Sequence, residues 1–341
     1  MREVRIAAND AGQRLDKFLT KAFPSLPKSL LYRAIRQKKI KVNRRRAEPN
    51  QMLAENDILL LFLPHELFER GEKRGASELS RIKTRLAIVY EDENLLLINK
   101  RAGVTVHEDD AGSTDTLLTA MQAYLFGKGE YDPASEASFA PALCNRLDRN
   151  TAGIVIAAKN ASALREMNAL IRERRLEKRY LAAVHGVPSP RQGVYRAYLL
   201  KNEKTKTVRI YDENPPRGAK EIATGYRTLK EKDGLALLEV ELLTGRTHQI
   251  RAHLAHLGHP LLGDGKYGVN RTDRARGYSH QALASHRLAF PSDLSGYPTL
   301  SYLAGREFSL SRESIPFLSL FEGAFTFGET EKIRRITPKE I

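Results

Sequence analysis

The stretch "NRLDRNTAGIVIAAKN", residues 145–160, sets one carboxylate, Asp148, between Arg146 and Arg149, just before a Thr-Ala-Gly turn and an apolar run. A carboxylate that attacks carbon needs a dry pocket and a cation that keeps it ionised. Taken alone, an aspartate at this place caps turn N–H groups and pairs with a neighbouring arginine. Arg251, which follows "TGRTHQI", is the candidate cation for the chemical role. Tyr180 offers an aromatic face, although a tyrosine in an alternating strand ordinarily packs into the core. Arg246, at the start of the same segment, reads either as a phosphate contact or as a surface charge.

Other chemistries lack their residues. The chain contains no GxxxxGK[ST] loop, no HExxH and no GxSxG. "GDGKYG" at 263–268 matches GxGxxG, but no strand precedes it and no helix opens from it, so a glycine-rich turn is expected. His248, His253, His256 and His259 lack a carboxylate or cysteine to complete a metal set and are expected to face solvent or RNA. The single cysteine, Cys144, excludes an internal disulfide.

The elements that must position these groups follow from periodicity. "GIVIAA" at 153–158 is a buried strand, after which Asn160 caps a helix with Leu164, Met167, Leu170 and Ile171 on its apolar face. "RYLAAVHGVP" and "LALLEVELL" are strands, and "LAIVYEDENLLLINK" is a pair of strands around an acidic turn. Ile250, Leu254 and Leu257 make a helical stripe that Gly258 and Pro260 stop. Strands and helices mix without regular alternation, so residues 85–327 are expected to form an α+β domain with a mixed, largely antiparallel central sheet. Upstream, Leu15, Phe18, Leu19 and Phe23 share one helical stripe. "PKSLLYRAIRQ" gives a second helix with Leu30, Leu31 and Ile35 inward. "KKIKVNRRR" and "NDILLLFLP" supply strands, so residues 1–64 make a small α/β module. Residues 65–84 read as a charged linker and 328–341 as a tail.

Lys plus Arg number 56 against 41 Asp plus Glu, a formal charge of +15. Nine of those cations fall between Lys28 and Arg46 with no acid among them, which points to a polyanion. Lys28, Arg33, Arg36, Lys38 and Lys39 are the candidate phosphate contacts of the small module. No apolar run is long enough to span a membrane and "MREVRIAAND" lacks the apolar core of a secretory signal, so a cytoplasmic monomer is expected.

In combination, "RLDRNTAGIVIAAK", "EKRYLAAVHG" and "LLTGRTHQIRAHLAHLGHPLLGDGKYG" resemble the RluA family of pseudouridine synthases in order and spacing. "VYEDENLLLINKRAGVTVH" is similar to that family's opening motif, and "RLDKFL" with "LPKSLLYRAIRQKKIKVN" resembles the small RNA-binding S-four domain, closest to the RluC-like branch. The resemblance implies isomerisation of uridine to pseudouridine without metal or cofactor, with large-subunit ribosomal RNA as partner. It implies that Asp148 is the catalytic carboxylate, Arg251 its basic partner, Tyr180 the ring that stacks on uracil, and Arg146 the residue that fills the stack vacated by the flipped base. Asn145 replaces the family's usual histidine, Ala152 a serine, and Arg101 a proline. The RsuA type, which acts on the small subunit, tends to "TND" where this chain has "AKN" and lacks "TGRTHQIR". A synthase for small-subunit or transfer RNA, or a non-catalytic RNA-binding assembly factor, are the alternatives. The last predicts loss of the aspartate, tyrosine or arginine, and all three are present.

Overall fold

The computed structural model describes residues 1–64, 67–68, 76–108, 115–268 and 270–321. The expected tail at 328–341 and residues 65, 66 and 69–75 of the expected linker lie outside them.

The N-terminal module contains β1 (Arg2–Arg5), α1 (Leu15–Ala22), α2 (Lys28–Arg36), β2 (Ile40–Val42), β3 (Arg45–Arg46) and β4 (Ile58–Leu61). Its antiparallel sheet has the order β1-β4-β2-β3. Leu15, Phe18 and Leu19 bury one face of α1, while in α2 Ala34 joins Leu31 and Ile35 and leaves Leu30 half-buried. The β2–β3 hairpin turns at Asn43 and Arg44, whose φ values of 50° and 64° are those of a type I′ turn. Asn43 tolerates that conformation and ties it down, because its Oδ1 accepts the Ile58 N–H at 2.8 Å. Lys28, Arg33, Arg36, Lys38 and Lys39 are all exposed.

The larger domain runs through α3 (Ala76–Arg81), β5 (Ile88–Glu91), β6 (Leu95–Lys100), α4 (Leu117–Gly127), β7 (Ala142–Leu143), β8 (Ala152–Ala158), α5 (Ala161–Arg172) and β9 (Glu177–His185). It continues with β10 (Gln192–Asn202), β11 (Thr207–Tyr211), β12 (Lys220–Lys232), β13 (Leu235–Leu242), α6 (Gln249–His256), α7 (Asn270–Ala275), β14 (Leu283–Ala289) and β15 (Glu307–Ser309). The second half of the expected linker is therefore not a free tether. It forms α3, because Leu79 has an apolar place to go: it is 2% exposed and packs beside α4 residues Leu117 and Met121.

The sheet order is β11-β10-β12-β13-β9-β14-β8-β6-β5, with β15 on β14 and β7 on β8. Every pairing is antiparallel except β14 with β8. Both faces are covered, which explains the nearly continuous apolar runs of β8 and β9. Along β9, Leu181 and Ala183 enter the core under α5, while Tyr180, Ala182 and Val184 enter the opposite core with α4 and α6. That alternation decides which side chains can reach the site.

The two domains touch through a polar contact. Asp10, fully buried, accepts the Ser138 N–H at 2.9 Å and its hydroxyl. Asn9 accepts from Ala161 N and donates to Glu136 Oε1.

Where β8 meets β14, Gly153 has φ +119°, and a Cβ there would lie 2.3 Å from the Ser285 carbonyl oxygen. Both atoms belong to sheet backbone, so neither can yield cheaply. Gly153→Ala is expected to destabilise the fold by about 3 kcal/mol or more, combining backbone strain with the clash. The shift in denaturant midpoint at unchanged m-value measures it.

Candidate active site

Asp148 sits in the loop between β7 and β8, and that loop is held from several sides. Asn145 Oδ1 accepts the Ile156 N–H at 2.8 Å, so the residue that departs from the resembled pattern serves as a clip on β8. Thr151 N donates to the Asp148 carbonyl at 3.0 Å, and Thr151 Oγ1 accepts from Gln281 at 3.1 Å. Beneath them lies Lys100, only 1% exposed. Its ammonium donates to the carbonyls of Arg101, Val104 and Arg149 at 3.1, 2.9 and 2.8 Å, which uses every proton it has. Burial pushes this lysine down to about 8, against the pull of the Asp148 charge. Arg149 is drawn into the same anchor, its Nε donating to Gly103 O at 3.1 Å. Of the two flanking arginines, only Arg146 lines the cavity, and it is exposed.

Arg251 rises from α6 and is 8% exposed. Its Nη1 donates to Asp148 Oδ2 at 2.8 Å. Its other edge grips a second carboxylate in a fork, Nε to Asp264 Oδ2 at 2.7 Å and Nη2 to Asp264 Oδ1 at 2.9 Å. Asp264 is 1% exposed and also accepts the N–H groups of Lys266 and Tyr267. Burial pushes Asp264 up, but the hydrogen bonds and charge of Arg251 outweigh it and hold the carboxyl below its usual range. The same partners raise Arg251 above its ordinary value in spite of burial. The guanidinium also lies 5.4 Å from the centre of the Tyr267 ring.

The approach to α6 is locked by Gln249, 2% exposed. Its Oε1 accepts from Thr244 Oγ1 and Arg246 N, and its Nε2 donates to Ala223 O and Thr224 Oγ1. His248 takes φ 54° there. Tyr267 OH accepts the Val208 N–H, so its own proton is free for His248 Nδ1 at 2.8 Å. His248 Nε2 lies 3.8 Å from Asp148 Oδ2. Burial, the largest influence, pushes this imidazole down.

Tyr180 is 6% exposed, and burial pushes its phenol up to about 12, so it keeps its proton at neutral pH. The groups surround a cavity of about 450 Å³, within the range that admits a small ligand. Asp148, Tyr180, Arg251, Arg146 and Arg246 all line it. The cations of the small module, from Lys28 to Lys39, do not; they belong to a separate surface.

Sequence reasoning missed Asp264, Lys100 and Lys178, a further lining residue. Asp264 lay inside "GDGKYG", where the glycines drew the reading. The turn is real: Gly263 has φ +75°, with His280 O 2.2 Å from where its Cβ would be. The expectation that the histidines face solvent or RNA fails for His253, which is 1% exposed and bonded through Nδ1 to Thr224 Oγ1 at 3.0 Å. Its face of α6 packs on the sheet. His256 pairs with Asp212, and His259 Nδ1 bonds the His185 carbonyl.

A family model described as RNA pseudouridylate synthase matches residues 94–256, and one for the S4 domain matches residues 13–59. The chain is 32% identical over 289 residues to ribosomal large subunit pseudouridine synthase C of Yersinia pestis, covering 84% of each chain. To the protein of that name from Vibrio vulnificus it is 34% identical over 273 residues, 79% of this chain and 81% of that one. Among solved structures, human RNA pseudouridylate synthase domain containing 4 shares the fold, with a TM-score of 0.52 and 24% identity over 72% of this chain and 94% of that one.

The buried imidazole yields a prediction about pH. Burial pushes His253 from 6.5 down to about 4. Between those values the unfolded chain holds a proton that the folded chain does not, so stability falls as pH falls through the window. His253→Gln retains a hydrogen-bonding partner for Thr224 and removes the titration. Wild-type unfolding free energy should fall more steeply than the variant's, by up to about 1.4 kcal/mol per pH unit. Denaturant titrations across the window measure both slopes.

Proposed function

The chain belongs to the RNA pseudouridylate synthase family, and on that premise we propose that it isomerises specific uridines of large-subunit ribosomal RNA, with Asp148 as the catalytic carboxylate. The observation that carries this reading is the 2.8 Å bond between Arg251 and Asp148 at the wall of a cavity that Tyr180 also lines. The relatives' names, which specify the ribosomal large subunit, support the choice of RNA.

The isomerisation breaks the N1–C1′ bond, turns the base and joins C5 to C1′; C5 loses a proton and N1 gains one. Asp148, with one oxygen held by Arg251, is the catalytic carboxylate, attacking the base or C1′ or assisting a glycal route. Tyr180, protonated and buried, presents a ring on which uracil stacks. A uridine inside folded RNA must first leave its stack, at a cost of about a few kcal/mol. Arg146, exposed at the cavity, offsets part of that cost by stacking in the gap, and Arg246 supplies a phosphate contact. The module of residues 1–64, which carries the S4 domain, binds RNA through Lys28, Arg33, Arg36, Lys38 and Lys39. We place the synthase domain at residues 85–327, with α3 (Ala76–Arg81) packed against it. In this reading the protein works in the cytoplasm as a monomer, since one chain carries both the cavity and the basic module, and it uses no cofactor.

Asp148→Asn should retain RNA binding within about twofold and form no detectable pseudouridine. Pseudouridine mapping in total RNA from cells with and without the gene, and with this variant, tests activity and substrate together. Sites lost from transfer or small-subunit RNA would replace the proposed substrate, and turnover by Asp148→Asn would remove Asp148 as the catalytic carboxylate.

Replacing Arg33, Arg36 and Lys39 together by Gln should weaken RNA binding and flatten its dependence on salt, by about 0.7 in log–log slope per lost contact on single-stranded RNA. Titrations at several ionic strengths read the slope; an unchanged slope would place the RNA elsewhere.

A further inference from the structure

Lys178 and Arg179 are neighbours on β9 and meet opposite environments. Arg179 points to the face away from the cavity, where it is 3% exposed and salt-bridged to Glu177 at 2.6 Å and Glu239 at 2.8 Å. Lys178 lies two residues before Tyr180, so strand alternation puts both on one face, and both line the cavity that holds Asp148 and Arg251. Among the described residues no carboxylate or other partner meets the Lys178 ammonium. Desolvation alone acts on it and pushes it below the usual lysine range. A largely buried cation without a counter-ion is costly, and the cost is relieved when a ligand brings the anion.

The family's substrate brings one. Resting on the function proposed above, the geometry points to Lys178 as the phosphate-binding residue of the cavity, holding a phosphodiester next to the flipped uridine while its base lies against Tyr180. Asp148 and Arg251 are already satisfied by each other and by Asp264. The base and C1′ belong at that end of the cavity, and the backbone phosphate takes the unpaired ammonium. Lys is suited to this task as a compact point charge on a flexible stem. The contact anchors the nucleotide by charge, so it contributes to affinity and leaves the chemical step alone.

The test uses a ribosomal RNA fragment spanning a mapped target uridine, unmodified or with a single neutral methylphosphonate linkage on its 5′ or 3′ side. With the full-length wild-type protein, one of the two linkages should weaken binding about tenfold. Lys178→Gln should weaken binding of the unmodified fragment about tenfold, reduce the salt slope by about 0.7, and be indifferent to that linkage. Lys178→Arg should recover most of the affinity, and the loss in Lys178→Gln should fall on affinity more than on kcat. Three results would overturn the proposal: additive losses from the variant and the linkage, a loss of kcat at unchanged affinity, or no change with either. The methylphosphonate arm on wild-type protein does not depend on the variant's folding. Wild-type conversion of the unmodified fragment separates the two readings. No pseudouridine there ends the functional reading; normal conversion with additive losses ends the phosphate subsite alone.

Discussion

One guanidinium is shared by two carboxylates, and the arrangement of the site depends on that sharing. Arg251 is nearly buried, and a buried cation with a single exposed partner would be poorly oriented. Asp264, more deeply buried and itself held by two backbone N–H groups, fixes two of the guanidinium's three nitrogens. The remaining nitrogen then has one direction open, toward Asp148. Of the two carboxylates around the guanidinium, only Asp148 lines the cavity. Asp148 is 24% exposed and Asp264 is 1% exposed, so the roles of ligand-facing group and orienting group are divided by burial.

Such a pairing is useful only if both loops stay in place, and the fold over-determines each. The Asp148 loop is pinned below by the Lys100 ammonium and behind by Asn145 on β8. The Arg251 helix is entered through a turn that Gln249 satisfies with four hydrogen bonds. Between them the parallel contact of β8 and β14 is close enough that only glycine fits at 153. Polar groups buried in this way are strong when fully satisfied and costly when one partner is missing. Those bonds fix one relative placement of Asp148 and Arg251.

Charge is distributed by function across the molecule. Cations crowd the exposed surface of the S4-bearing module, where they are solvated and screened by salt. Inside the synthase domain two buried arginines are paired: Arg179 with Glu177 and Glu239, Arg251 with Asp148 and Asp264. The polar junction at Asp10 and Ser138 joins the two regions.

Sequence alone determined the elements whose apolar periods of two and 3.6 residues were uninterrupted, among them α1, α5, β8, β9 and β13, though not α4, β10, β12 or β14, and it determined the family, because long motifs kept order and spacing. It also placed Asp148, Tyr180 and Arg251 as the residues to watch. It could not see that α3 orders part of the linker, since a single Leu79 finding a hydrophobic site leaves no periodic mark. Nor could it choose among identical residue types: His253 is core while His256 pairs at the surface, and Arg179 is neutralised while Lys178, one residue away, is not. Asp264 was hidden for the same reason. Pattern records which way a side chain leaves its own strand or turn; whether a partner waits there is decided by segments far away in the chain, and only the folded structure brings those together.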